Sequence, residues 1–242
     1  MRELLNDAAA RAIRYLDGLD GRSVAPSPEA IAALKKLDSP LPDAPTDPSA
    51  VLALLDDFGS PATVATAGPR FFGYVIGGAL PVTVAANWLA AAWDQPAFSY
   101  SASPVAAALE EIALRWLLDI FGLPPTCGGA FVTGATTANF CGLAAARHRV
   151  LKNAGWDVEA EGLFGAPPVT VVVGEEAHAS LFKALGMVGF GRRRVVTVPV
   201  DGQGRLRPDV LPAFSGPTIV CVQAGNVNTG AFDPADEIIP RP

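Results

Sequence analysis

The amino-acid sequence predicts an α/β fold: a mostly parallel sheet with flanking helices, preceded by a helical amino-terminal arm. Three observations predict it. From Val169 onward, strand-like runs alternate with helical stretches, the pattern of parallel strands joined by right-handed crossovers. Val169 to Val173 is an unbroken β-branched run of the kind that buried central strands use. Ahead of it, Phe131 to Phe140 reads FVTGATTANF, a turn-forming glycine and two threonines placed directly before an apolar helical pattern of Leu143, Ala144, Val150 and Leu151.

Taken in order, Met1 to Leu19 reads as a helix with Leu4, Leu5, Ala8, Ala12, Tyr15 and Leu16 on one stripe. Val24 to Pro48 is proline-rich and reads as an extended arm, with a short helical piece near Ile31 to Leu37. A second short helix is expected over Ser49 to Phe58, capped at its DPSA start. Phe71 to Trp93 carries no charge and is long enough to span a bilayer, but Pro81, Asn87 and scattered glycines make it a buried or interface-forming segment, helical from Val82 to Trp93. Ser103 and Pro104 open a strong helix that Gly122 and Pro124 close at Phe121. Its stripe of Leu109, Ile112, Ala113, Trp116, Leu117 and Ile120 is expected to face a core. The alternating region then predicts a strand over 169–173, a helix over 179–187, a strand over 195–200, a short helical piece over 208–214 and a strand over 218–223. Domain boundaries follow as 1–100 and 101–242.

Composition narrows the function classes. A net charge of −6 and a pI near 4.9 argue against nucleic-acid binding, which calls for a basic face. The run Arg192 to Arg194 reads as a solvated strand entrance. Mean hydropathy of +0.31 is high and suggests apolar surface covered by a partner or by residues outside the chain. Cys127, Cys141 and Cys221 are odd in number and form no CxxC pair, which points to reduced thiols in a cytoplasmic protein, with no disulfide frame and no metal site. The first twenty residues mix charges without an apolar core, unlike a secretory signal, and no membrane partner is expected.

Chemistry should sit at the tips after the strands, because parallel sheets gather ligands at their carboxyl ends. Those tips are GEEAHAS at 174–180 and AGNVNTGAFDP at 224–234. FVTGATTANF suits an anion: a helix start offers unpaired N–H groups and a positive dipole end. A plain helix cap explains the same ten residues equally well. A Walker loop is disfavoured because Ala135 stands where its lysine must be, and GxGxxG, HExxH and GxSxG are absent. A single histidine beside an apolar helix, as at His178, is more often structural than a ligand.

Three motifs in order carry a resemblance: TGATTAN at 133–139, EEAHASLFKA at 175–184 and GNVNTGAFDP at 225–234. With RFFGY at 70–74 and AFSYSASP at 97–104, they resemble the pyridoxal-phosphate-dependent group II amino-acid decarboxylases, over roughly Arg70 to Pro240. The resemblance implies a fold-type-I transferase-like domain, pyridoxal 5'-phosphate as cofactor, an amino acid as substrate and loss of its carboxylate as CO2. It assigns Ala135, Thr136 and Thr137 to the cofactor phosphate, His178 to the ring face and Asn226 to the ring hydroxyl. Ser180 becomes an accessory hydrogen-bonder, and Thr229, Asp233 and Lys183 become loop, cap and surface residues. Phe71, Phe72 and Tyr74 match substrate-pocket aromatics. Phe98 matches an aromatic that enters a neighbouring subunit's pocket, so a homodimer is implied and residues 1–100 become a dimerisation and substrate-pocket segment.

The family also uses a lysine for the imine and an aspartate for the ring nitrogen, both beyond the AFDP motif, and 1–242 ends before either. Lys35, Lys36, Lys152 and Lys183 are its lysines, and none stands in the anchoring context. The expectation is an amino-terminal portion with a large domain still incomplete. The competing readings are a non-catalytic binding or assembly module, and another lyase or aminotransferase of the same fold.

Overall fold

The structure is a computed structural model, and it describes residues 1–239. The chain divides into two compact units, Met1–Phe98 and Ser99–Pro242. The last residues of the expected second domain, 240–242, lie outside the described residues.

In the first unit, α1 (Arg2–Asp17) packs on α3 (Pro48–Gly59). Arg11 reaches across from α1 to Asp56 at 2.9 Å while also pairing with Asp7 one turn earlier. The short α2 is Pro28–Ala33, earlier than the apolar residues alone suggest, because Ser27 caps it and Pro28 occupies its first turn; a 3₁₀ turn continues it over Leu34–Leu37. Asp47 caps α3 by accepting the N–H of Ser49, as the DPSA start predicts. Arg70 of RFFGY donates to the carbonyls of Asp20 and Arg22, which ties that motif to the turn after α1. The uncharged segment becomes a loop followed by α4 (Pro81–Trp93). At 1.5 Å per residue α4 is about 20 Å long, short of the roughly 30 Å hydrocarbon layer. Among the described residues no helix is long and apolar enough to cross a membrane. Nor is this segment buried in the chain: Val82, Trp88, Leu89 and Trp93 are all exposed, since no element of the unit covers them.

The second unit opens with α5 (Pro104–Ile120), capped by the buried Ser103. Half of its apolar stripe does not find the expected core: Leu109, Trp116 and Ile120 are 56%, 64% and 73% exposed. The other half of the stripe, Ile112, Ala113 and Leu117, is half-buried, so the expected burial is met only in part. Then come α6 (Ala135–Asn153), the short α7 (Val158–Glu161), β1 (Thr170–Gly174), α8 (Ala179–Met187), β2 (Val196–Val198), β3 (Thr218–Cys221) and α9 (Ala235–Ile238). Only Pro208–Val210 of the predicted helical piece forms a 3₁₀ turn, because Pro212 follows too soon for a helix to extend.

The three strands pair in parallel in the order β2-β1-β3. Alternation of side chains along β1 gives the sheet two packed faces. On one face Val171 and Val173 meet Leu143 of α6 and Ala184 and Leu185 of α8; on the other Val172 meets Val198, Leu206 and Ile238. Cys221 faces the first cluster, and burial pushes its thiol up to about 11. Because β2 and β3 flank β1 on opposite sides, the strand order reverses at β1. In open parallel sheets that reversal opens a ligand crevice at the carboxyl ends.

Candidate functional site

Three segments meet at that end of the sheet: the start of α6, the β1–α8 loop and the loop after β3. Gly134 sits at φ +85° and ψ 161°, a backbone shape essentially reserved for glycine, and it turns the chain into α6. No side chain caps this helix. Among the described residues nothing accepts the N–H groups of Ala135 and Thr136 or engages the Thr136 hydroxyl, so three donors point out of a positive helix end. Thr137 is different. Its N–H goes to the Gly134 carbonyl and its hydroxyl donates to the Thr133 carbonyl at 3.1 Å, so it braces the turn from within. A side chain at Gly134 would meet no atom within 4 Å, which leaves room for a ligand there.

His178 is exposed and is the N-cap of α8. Its Nδ1 lies 2.8 Å from the Ser180 hydroxyl and accepts the Ser180 N–H at 3.2 Å. Ser180 is buried and its hydroxyl accepts from the Asn139 amide at 2.9 Å. Asn139 belongs to the second turn of α6, so one hydrogen-bonded line joins the helix carrying the free donors to the imidazole. Sequence reasoning assigned no role to Asn139. The available signal was a residue of poor helix propensity held close behind a helix start.

Asn226 is 4% exposed and is committed on both sides of its amide. Its Nδ2 donates to Glu176 at 2.7 Å, two residues before His178, and its Oδ1 accepts from Asn228 and Thr229 N–H. It therefore ties the loop after β3 to the loop after β1. Asp233 clamps the same loop, accepting the N–H of Leu206 at 2.7 Å and of Gln223 at 2.6 Å, and Thr229 donates to the Gln203 carbonyl at 2.7 Å. Lys183 is exposed on α8. Phe71, Phe72, Tyr74 and Phe98 belong to the first unit; Phe72, Tyr74 and Phe98 are exposed.

The donor set fits a phosphate, which wants N–H and O–H groups at a helix start and no competing carboxylate. Comparison with known proteins agrees with the motifs. A model of the pyridoxal-dependent decarboxylase conserved domain matches residues 32–240, and the chain belongs to this family. Pyridoxal phosphate is the cofactor for which that family is named. Acidic amino acid decarboxylase GADL1 of Mus musculus is 31% identical over 184 residues, covering 73% of this chain and 32% of that protein. The Homo sapiens counterpart is 29% identical over the same length, covering 34% of its own chain. The chain thus spans about a third of the length of these curated relatives. Among solved structures, mouse CSAD in apo form superposes with a TM-score of 0.86 at 25% identity, over 98% of this chain and 51% of that one. Oryza sativa TDC with PLP and tryptamine superposes at 0.83 with 23% identity over 98% and 51%, a likeness of fold. The domain is accordingly of fold type I.

Proposed function

We propose that the chain serves a pyridoxal-phosphate-dependent amino-acid decarboxylase, holding the cofactor by its phosphate and against one face of its ring. One observation carries the reading: the unpaired donors at the start of α6 and the imidazole of His178 are joined through Asn139 and Ser180. When bound, pyridoxal phosphate supplies an electron sink that lets an amino acid lose its carboxylate as CO2. The N–H groups of Ala135 and Thr136 and the Thr136 hydroxyl take the phosphate, with Thr137 holding the turn in shape. The His178 ring offers a flat face to the pyridine. Asn226 keeps the loop after β3 against Glu176, and the motif assigns it to the ring hydroxyl.

Phe71, Phe72 and Tyr74 are assigned to the substrate pocket, and Phe98 to the pocket of a second copy in a homodimer; the exposure of Phe72, Tyr74 and Phe98 supports this. Free cysteines fit a cytoplasmic setting. The imine lysine and the carboxylate for the ring nitrogen are assigned to no residue of 1–242. Lys152, for one, lies near the far end of the 19-residue α6, about 25 Å along the axis from Ala135.

The test adds pyridoxal phosphate to the protein and follows absorbance, borohydride trapping and sedimentation together. Reversible binding by a dimer, without a borohydride-stable adduct concentrated on one lysine, is expected. Absence of binding overturns the cofactor reading, a stable adduct at a single lysine overturns the lysine assignment, and a monomer at micromolar concentration overturns the dimer. Carboxyl-labelled amino acids given to the cofactor-loaded protein report the reaction, since formation of a keto acid with retained label contradicts decarboxylation.

A further inference from the structure

The bonds around Ser180 have a direction, and that direction settles where the proton of His178 sits. A backbone N–H can only donate, so the Ser180 N–H, 3.2 Å from Nδ1, requires Nδ1 to be an acceptor. Asn139 donates its amide hydrogen to the Ser180 oxygen, which leaves the hydroxyl hydrogen free to point at the same Nδ1, 2.8 Å away. Both donors then converge on one ring nitrogen. In a neutral imidazole the proton must be on the other nitrogen.

We infer that Asn139 and Ser180 are positioning residues that fix His178 as the Nε2–H tautomer and hold its ring at the start of α8. Among the described residues nothing pairs with Nε2 of this exposed side chain, so its N–H is the donor presented outward. Asn139 lies four residues after Ala135 on the helix that carries the free phosphate donors, so the imidazole is oriented from the same element. The tautomer rests on the geometry of these residues alone. Its use beside the cofactor ring rests on the proposed function.

The physical consequence is specific to the direction of the line. Asn139→Asp keeps the size of the side chain but removes its hydrogens. A carboxylate there draws the Ser180 hydroxyl hydrogen toward itself, and the serine oxygen is then left to accept from Nδ1–H. Only the backbone N–H at position 180 still favours the original tautomer. The substitution therefore shifts the ring toward Nδ1–H. Ser180→Thr keeps the hydroxyl and preserves the original state.

Long-range proton–nitrogen correlation spectra of the labelled protein read this directly at a pH well above the ordinary histidine pKa of about 6.5. The chain has two histidines, and His148→Gln assigns the signals. The expected result is a single Nε2–H pattern for His178 in the unaltered chain and in Ser180→Thr, with a measurable Nδ1–H population in Asn139→Asp. An Nδ1–H or evenly mixed ring in the unaltered chain overturns the inference. So does an unchanged Nε2–H ring in Asn139→Asp, which leaves the backbone N–H as the sole determinant. Unfolding midpoints of the same samples separate loss of fold from change of tautomer. Failure of pyridoxal phosphate to bind leaves the tautomer result standing, and a wrong tautomer leaves cofactor binding standing.

Discussion

At Gly204 the backbone requirement and the site coincide. Its φ is +74°, and a methyl group there would lie 2.2 Å from the Asn226 amide nitrogen and 2.6 Å from a Glu176 oxygen. Gly204→Ala therefore carries both a left-handed strain and a clash with the bond that joins two site loops, together about 2–4 kcal/mol. Gly142 lies within α6 with no atom within 4 Å of an added methyl, so Gly142→Ala stabilises by about 0.5–1 kcal/mol. Urea unfolding of the two variants should move the midpoint in opposite directions; a shift of the same sign in both contradicts this account. Neither position announces its role in the sequence. The contacts of Gly204 come from residues 22 or more positions away, while Gly134 was legible because its turn and its helix adjoin it. For the same reason His178 could be read from its motif, whereas the commitment of Asn226 to Glu176 appears only when two strands stand side by side.

Among the elements, helices that close on their own residues matched their sequence signals. Ser103 and Asp47 each supply the cap expected of them, and α8 spans 179–187 as predicted, whereas the Ser27 cap that starts α2 early was not foreseen. Strand lengths were less legible, because pairing partners set them: β2 is reduced to Val196–Val198, although the β-branched run begins at Val195. The turn after β2 is also built from side chains. Asp201 accepts the N–H groups of Arg205 and Gln203 and pairs with the Arg205 guanidinium, and these bonds, the Arg205 N–H first, hold its carboxyl down to about 2. A folded pKa below the unfolded value of 3.8 gives stability that is present above about pH 4 and is lost as pH falls toward 2. The stability difference between the unaltered chain and Asp201→Asn should be constant above pH 4 and shrink toward pH 2 in an acid unfolding series. A difference that grows on acidification would reverse the assignment.

For the whole molecule, the apolar character read from composition resolves into particular surfaces. Much of the α5 stripe and the α4 face is apolar in sequence and exposed in structure, so periodicity identified apolar faces that the described residues do not bury. The fold class was legible because alternating strands and helices leave a parallel sheet as the natural arrangement, and the order β2-β1-β3 is one realisation of it. The same topology places the candidate site, since all three motifs meet at the carboxyl end of the sheet. Its cofactor was legible from the motifs together, which is why the family match over residues 32–240 and the free donors of α6 agree. The central claim is that these donors hold a phosphate, and binding of pyridoxal phosphate compared with pyridoxal tests it most directly. By titration calorimetry, pyridoxal phosphate should bind at least tenfold more tightly than pyridoxal, and Thr136→Val should remove most of that advantage. Equal affinities for the two compounds, or an advantage untouched by Thr136→Val, would contradict it.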